Sequence, residues 1–190
     1  AGEIENSGFE AEFLWRPTNT TELQVIYSHN DADYKSFEQG TCWDSYTFHT
    51  DIDDPGLPSG LSAIDPEVCS KTGSPVGYNP EDRLFVAAQQ DVALTDDTLM
   101  FVRVEYSSAS EQFTDGDLDP FTLQDDFEIV NARIGFLLDA WDASLTFWGR
   151  NVTDERYSNG SFDAPIQVGR MNLYPAEPAT FGATFIKNFD

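Results

Sequence analysis

The sequence predicts an all-β chain, the wall of an antiparallel transmembrane β-barrel, and three observations carry that expectation. About seven segments alternate apolar and polar residues, no apolar run is long enough for a spanning helix, and the connections are in turn very short and very long. Tight turns fall at 16–21, 95–97 and 140–142, whereas 35–80, 107–126 and 155–180 are long, the first of these being a long extracellular loop. Hairpins that are tight at one rim and long at the other suit a barrel wall; a Greek-key sandwich has no reason to keep that rhythm.

Each segment has two faces. In the first, Phe9, Ala11, Phe13 and Trp15 oppose Glu10 and Glu12. In the second, Leu23, Val25 and Tyr27 alternate with Gln24, Ile26 and Ser28 before loop composition is expected to begin at His29-Asn30-Asp31. The third sets Leu84, Val86, Ala88 and Val92 against Phe85, Gln89 and Asp91. The fourth opposes Met100, Val102, Val104 and Tyr106 to Arg103 and Glu105, and the fifth opposes Val130, Ala132, Ile134, Phe136 and Leu138 to Asn131, Arg133 and Gly135. A sixth segment runs from Ser144 to Tyr157, and the last closes from Gly182 to Phe189.

If the apolar faces meet lipid, Glu10, Glu12, Arg103, Glu105, Asn131, Arg133 and Arg150 line a polar lumen; if they meet a protein core, the same residues lie on the solvated face of a soluble sandwich. The aromatics favour lipid. Tyr27, Tyr34, Tyr106, Phe127 and Phe181 fall toward the long-loop ends, with Trp15 and Phe189 toward the other rim, as two interfacial girdles require. Mixed signs in the inward set predict salt-bridge ladders across strands, leaving ligand recognition to the long loops.

Composition sets bounds on partners. Ten Lys and Arg against 34 Asp and Glu leave a net charge of -24, which repels phosphate backbones, so no nucleic acid is expected. A mean hydropathy of -0.39 is compatible with a barrel, since only every second strand residue meets lipid. The start, Ala1-Gly2-Glu3, has neither Met nor a signal peptide, and is expected to be processed or part of something longer.

Cys42 and Cys69 both sit in the longest connection. They are expected to form a disulfide if the chain is exported and to remain free thiols in a cytosolic chain. Asp115, Asp117 and Asp119 alternate and are the candidate Ca²⁺ ligands, against a solvated acidic loop; Asp51, Asp53 and Asp54 give a weaker pattern. No other metal and no cofactor is expected. With no Gly-x-Ser-x-Gly elbow, phosphate loop or His-Glu-x-x-His helix, and with His29 and His49 in loop-like sequence without identifiable partners, no enzyme is expected.

The C-terminal stretch resembles that of TonB-dependent outer-membrane receptors. Val130-Asn131-Ala132-Arg133 is similar to their valine-asparagine-x-arginine strand, and Asn151-Val152-Thr153-Asp154 with Tyr157 to their asparagine-leucine-threonine-aspartate strand end. Gly182, Phe185 and Phe189 match the glycine-containing last strand with a terminal aromatic that serves as the assembly signal, although Asp190 follows and Lys187 takes an outward place usually apolar. More loosely, Gly8-Phe9-Glu10 resembles a recurrent glycine-valine-glutamate strand.

The resemblance implies a 22-stranded barrel in the bacterial outer membrane, around a plug, taking up a scarce small-molecule ligand of the ferric siderophore, cobalamin or carbohydrate class with energy from the TonB complex. Neither the plug nor the TonB-engaging segment is recognisable in the 190 residues. If Phe189 lies at the periplasmic end, stepping back through the hairpins makes the first strand descend too, an odd count that leaves edges unpaired in lipid. Residues 1–190 are therefore expected to be a C-terminal portion of the barrel, with lipid, further strands and the plug as partners. A secreted soluble β-sandwich binding carbohydrate or Ca²⁺ is the competing expectation.

Overall fold

The computed structural model describes residues 2–42, 63–65, 68–164 and 170–189; His49, the 51–54 acidic run and Asp190 lie outside them. In chain order the strands are β1 (Glu3–Thr18), β2 (Thr21–Ser36), β3 (Ala63–Asp65), β4 (Val68–Cys69), β5 (Asp82–Thr95), β6 (Thr98–Ala109), β7 (Gln112–Phe113), β8 (Leu123–Gln124), β9 (Phe127–Leu138), β10 (Ala143–Arg150), β11 (Ser158–Asp163), β12 (Met171–Pro175) and β13 (Thr180–Lys187). Seven of them form one sheet in the order β1-β2-β5-β6-β9-β10-β13, every neighbouring pair antiparallel. Each long strand thus pairs with the next long strand along the chain, as hairpins dictate. The sheet is open: β1 pairs only with β2, and β13 only with β10.

Tight turns close one rim. Thr18 pairs with Thr21 and Thr95 with Thr98 across two residues, and the third turn is a short 3-10 segment, Asp139–Trp141, ended by Asp142 in the left-handed region. Pro17 lacks an N–H for the ladder and falls at a register irregularity on the edge strand β1, where that loss matters least. At the other rim the long connections fold into two-stranded hairpins of their own, β3 with β4, β7 with β8 and β11 with β12, which the sequence pattern did not expose.

Two elements differ from expectation. β2 continues through His29-Asn30-Asp31 to Ser36, paired with a β1 that starts at Glu3. Side-chain alternation lapses at His29-Asn30-Asp31 while the backbone ladder with β1 continues, and Ala32 just beyond is buried against the loops. The sixth segment ends as strand at Arg150; Asn151 and Asp154 have positive φ, and 151–157 is not a strand.

The sheet has no core of its own. The total accessible surface is 12421 Å² for 21.2 kDa, where a compact monomer of that mass would expose about 9,100 Å². Phe9, Phe13, Trp15, Phe147, Phe181 and Phe185 stand on one face, and each is between 46% and 69% exposed. Among the described residues the other three sheets are two-stranded, so none matches this face in size. The buried apolar residues are instead mostly in or beside the loops: Ala32, Cys42, Cys69, Leu118 and Ala164, with Ala87 the exception.

Candidate functional site

Register sorts the sheet into two faces. Phe13, Val25, Val86, Tyr106 and Val130 are successive partners across five strands, and Phe136, Leu145 and Phe185 are successive partners across three. The opposite face carries Glu22, Gln89, Arg103, Arg133, Trp148 and Gly182 as one cross-strand row, with Gln24, Ala87, Glu105 and Asn131 as the next. Glu10, Glu12 and Arg150 share the parity of this polar face. Two of the girdle aromatics do not fit: Tyr34 and Phe127 stand on the polar side, paired with Ile4 and Ala109, while Tyr27, Tyr106 and Phe181 are on the apolar side.

Across the polar face runs an ion-pair ladder. Arg16 lies 2.7 Å from Glu22, Glu22 is 4.0 Å from Arg103, and Glu105 accepts from Arg103 Nε at 2.7 Å and from Arg133 Nη2 at 2.8 Å. Ala87, the row neighbour of Glu105 on β5, is 1% exposed, so a small residue stands under the long charged side chains reaching past it. Long side chains bridge in this way because diagonal neighbours on one sheet face lie within their reach.

The other polar-face residues separate. Asn131 Oδ1 accepts the Asn151 N–H at 2.9 Å, and the Asn151 side chain in turn holds the Glu155 and Glu177 carbonyls, fixing the start and end of the third long loop. Arg150 packs over the Trp148 ring at 5.3 Å and is 3.6 Å from Glu177. Asn131, Trp148 and Arg150, with Glu105, Arg133 and Thr146, line a cleft of about 250 Å³. Glu12 accepts from Gln24 at 3.3 Å, and Glu10 pairs in register with Ser28, away from the ladder.

Glycines on this face make room for rings. A Cβ at Gly182 would lie 2.4 Å from Trp148, whose Nε1 donates to Thr184 at 3.1 Å, and a Cβ at Gly135 would lie 2.2 Å from the Phe101 ring. Each aromatic lies across the neighbouring strand and covers its bare backbone. Phe185 is on the apolar face opposite Leu145, while Phe189 follows β13 and is 87% exposed. Lys187 donates to the Trp141 carbonyl at the tight rim, which accounts for a cation in an otherwise apolar row.

The long loops knit into one body. The Cys42–Cys69 disulfide forms, flanked by paired hydrogen bonds between Gly40 and Cys69. Lys71, 3% exposed, donates from Nζ to the Gly116 carbonyl at 2.6 Å, and Ser161 N donates to Thr114 O at 2.8 Å. The Asp115, Asp117 and Asp119 carboxylates are taken up locally: they accept from Gly116 N, Asp119 N and Phe121 N. Among the described residues no three such side chains converge to hold a metal. Burial, then repulsion from Asp115, Asp163 and Asp119, pushes Asp117 up to about 7, and burial raises Asp119. Burial lowers Lys71, opposed by Asp117 and Asp115.

His29 has a partner after all: Asp82 Oδ1 lies 3.0 Å from its Nδ1 and also accepts the Tyr27 hydroxyl at 2.5 Å. The sequence also left unmarked a cavity of about 470 Å³ where the polar face meets the third loop, lined by Ile26, Arg83, Phe85, Phe127 and Tyr157 among others. The Phe127 and Tyr157 rings are stacked at 4.1 Å and 10°. Alternation marks a strand's faces but not which loop folds over them, so the sequence marked Tyr157 only through the family resemblance and not as a neighbour of Phe127.

No protein-family model and no curated protein matches the chain. Among solved structures, the crystal structure of the ferric yersiniabactin uptake receptor FyuA from Yersinia pestis is similar, with a TM-score of 0.71 and 14% identity. The match covers all of this chain and 24% of that one, so the chain spans about a quarter of the similar structure's length. Identity this low shows the fold: an all-β, seven-stranded antiparallel sheet resembling a fragment of a barrel receptor. No helix of the described residues is long and apolar enough to cross a membrane.

Proposed function

We propose that this chain is one arc of the barrel wall of an outer-membrane receptor for active uptake of a small-molecule ligand. The observation that carries the reading is the segregation of the open sheet: a continuous apolar face with exposed aromatics, backed by a face holding a ladder of ion pairs. Lipid is the environment that the first face suits, and a wet lumen the second. On this reading Glu10, Glu12, Arg103, Glu105, Asn131, Arg133 and Arg150 face the lumen, and residues 35–80 form an extracellular loop.

The arc is completed by further strands of the same receptor around a plug, and coupling to the TonB complex belongs to that whole protein. The ligand belongs to the ferric siderophore, cobalamin or carbohydrate class. Gly182, Phe185 and Phe189 serve the assembly machinery, Gly182 with the added duty of seating Trp148. The test is expression from the complete reading frame in a Gram-negative host. The protein is expected in the outer-membrane fraction, extractable only with detergent and migrating differently in gels before and after heating. A detergent-free soluble monomer overturns the reading.

A further inference from the structure

The largest cavity described above has a composition that its surroundings do not. The chain carries 34 Asp and Glu, yet none lines this space of about 470 Å³. Its one charged residue is Arg83. Arg16, Arg103, Arg133, Arg150 and Arg156 each meet a carboxylate, whereas Arg83 and Arg170 ion-pair with none among the described residues. Asp82, Asp126 and Glu128 share a neighbouring cleft with Arg83, yet none closes an ion pair with it, so its guanidinium remains open to an outside anion.

The rest of the lining defines the shape of that anion. Phe127 and Tyr157 are held nearly parallel at 4.1 Å, one from strand β9 and one from the third loop, and Phe85 stands beside Arg83 with Ile26 as its cross-strand partner. The Ser158 N–H beside Tyr157 donates to Gln124 Oε1 at 2.8 Å, tying the loop that brings the ring to the hairpin of the second loop. Rings, one guanidinium and a polar fringe of Ser28, Ser107, Gln112 and Asn159 favour a flat body with one negative group, and the volume falls within the range of small-ligand sites.

We propose that this cavity is a binding subsite for a planar, ring-bearing anion, the ring packing against Phe85, Phe127 and Tyr157 and the acidic group pairing with Arg83. The subsite rests on the receptor reading for its biological role and on the cavity alone for its chemistry. It adds to that reading a ligand class, an anion that pairs with the guanidinium while its ring packs on the aromatic lining.

The test uses the full-length protein in detergent with 2-naphthoate as probe and 2-naphthamide as its uncharged counterpart, followed by saturation-transfer NMR titration. Saturable naphthoate binding is expected, weakened about tenfold or more by Arg83→Gln and largely kept by Arg83→Lys. The amide should bind more weakly and be indifferent to Arg83→Gln. Arg16→Gln, which removes the same charge at the tight rim far from the cavity, should leave naphthoate binding unchanged. Absence of saturable binding, indifference to Arg83→Gln, or an equal loss with Arg16→Gln overturns the subsite. Membrane fractionation of the same preparation separates the two ideas: an outer-membrane protein without binding sinks the subsite alone, and a soluble protein that binds sinks the receptor reading alone.

Discussion

Lys71 Nζ and the Gly116 carbonyl, 2.6 Å apart and 45 residues apart in sequence, join the disulfide-closed first loop to the second. Lys71 is buried and lies within electrostatic reach of the Asp115 and Asp117 carboxylates, so the bond ties the two loops together at the long-loop rim.

The tied loops should respond to pH. Asp117, raised from 3.8 to about 7, and Asp119, also raised, hold protons in the folded loops that they release when the loops open. Their contribution to stability is full below pH 3.8 and is lost as pH rises through about 7. Protection factors at residues 112–124, that is, hydrogen exchange corrected for its intrinsic base catalysis, should therefore be higher near pH 5 than near pH 8, and Asp117→Asn should flatten most of that difference. Protection that rises with pH would contradict the assignment.

The disulfide should matter to the loops and not to the sheet. Closing a loop with a sequence separation of 27 is worth about 3–4 kcal/mol of chain entropy, here spent on holding Gly40 and Lys71 in place. A Cys42→Ser, Cys69→Ser double variant is expected to expose residues 37–42 and 69–74 to proteolysis while the heat-modifiable gel shift of the sheet persists.

Glu105 is the hub of the ladder and is 14% exposed, with two guanidiniums on one oxygen. Glu105→Gln should lower the stability of the sheet by about 1–3 kcal/mol, because Arg103, itself 19% exposed, loses its closest counter-charge. A double-mutant cycle with Arg133→Gln, read by unfolding in detergent, should give a favourable coupling; additive losses would mean that the pair is incidental.

Gly182→Val should weaken the pairing of β10 with β13, since the new Cβ would sit 2.4 Å from the Trp148 ring. The expected cost is about 1–3 kcal/mol, and Gly182→Val with Trp148→Ala should recover part of it. If the glycine served assembly alone, the second change would not help.

How much of this was legible depended on distance along the chain. Arg103, Glu105 and Arg133 stand on one face because period-two alternation is a local property, and the hairpin order brings β6 beside β9 directly. Glu22 joined the ladder unannounced, since its reach to Arg103 passes over a strand whose register was the least clear in sequence. His29 read as loop because His29-Asn30-Asp31 are all polar, which hides a ladder carried by the backbone alone. Phe127 read as a girdle aromatic because it was placed by its height near the long-loop end, although it shares the parity of Asn131 and Arg133, and Tyr157 became its neighbour only once the third loop had folded.

The overlong first hairpin sets a height. Sixteen residues in β1 and in β2 give a ribbon of about 53 Å, or about 40 Å of vertical rise at a typical barrel tilt, against an apolar band about 25 Å tall. On the receptor reading the sheet therefore stands some way proud of the lipid like a collar, with Lys71, the disulfide and the acidic turn on its crest. A solute arriving by diffusion meets that crest in open water, before it meets the bilayer surface at all.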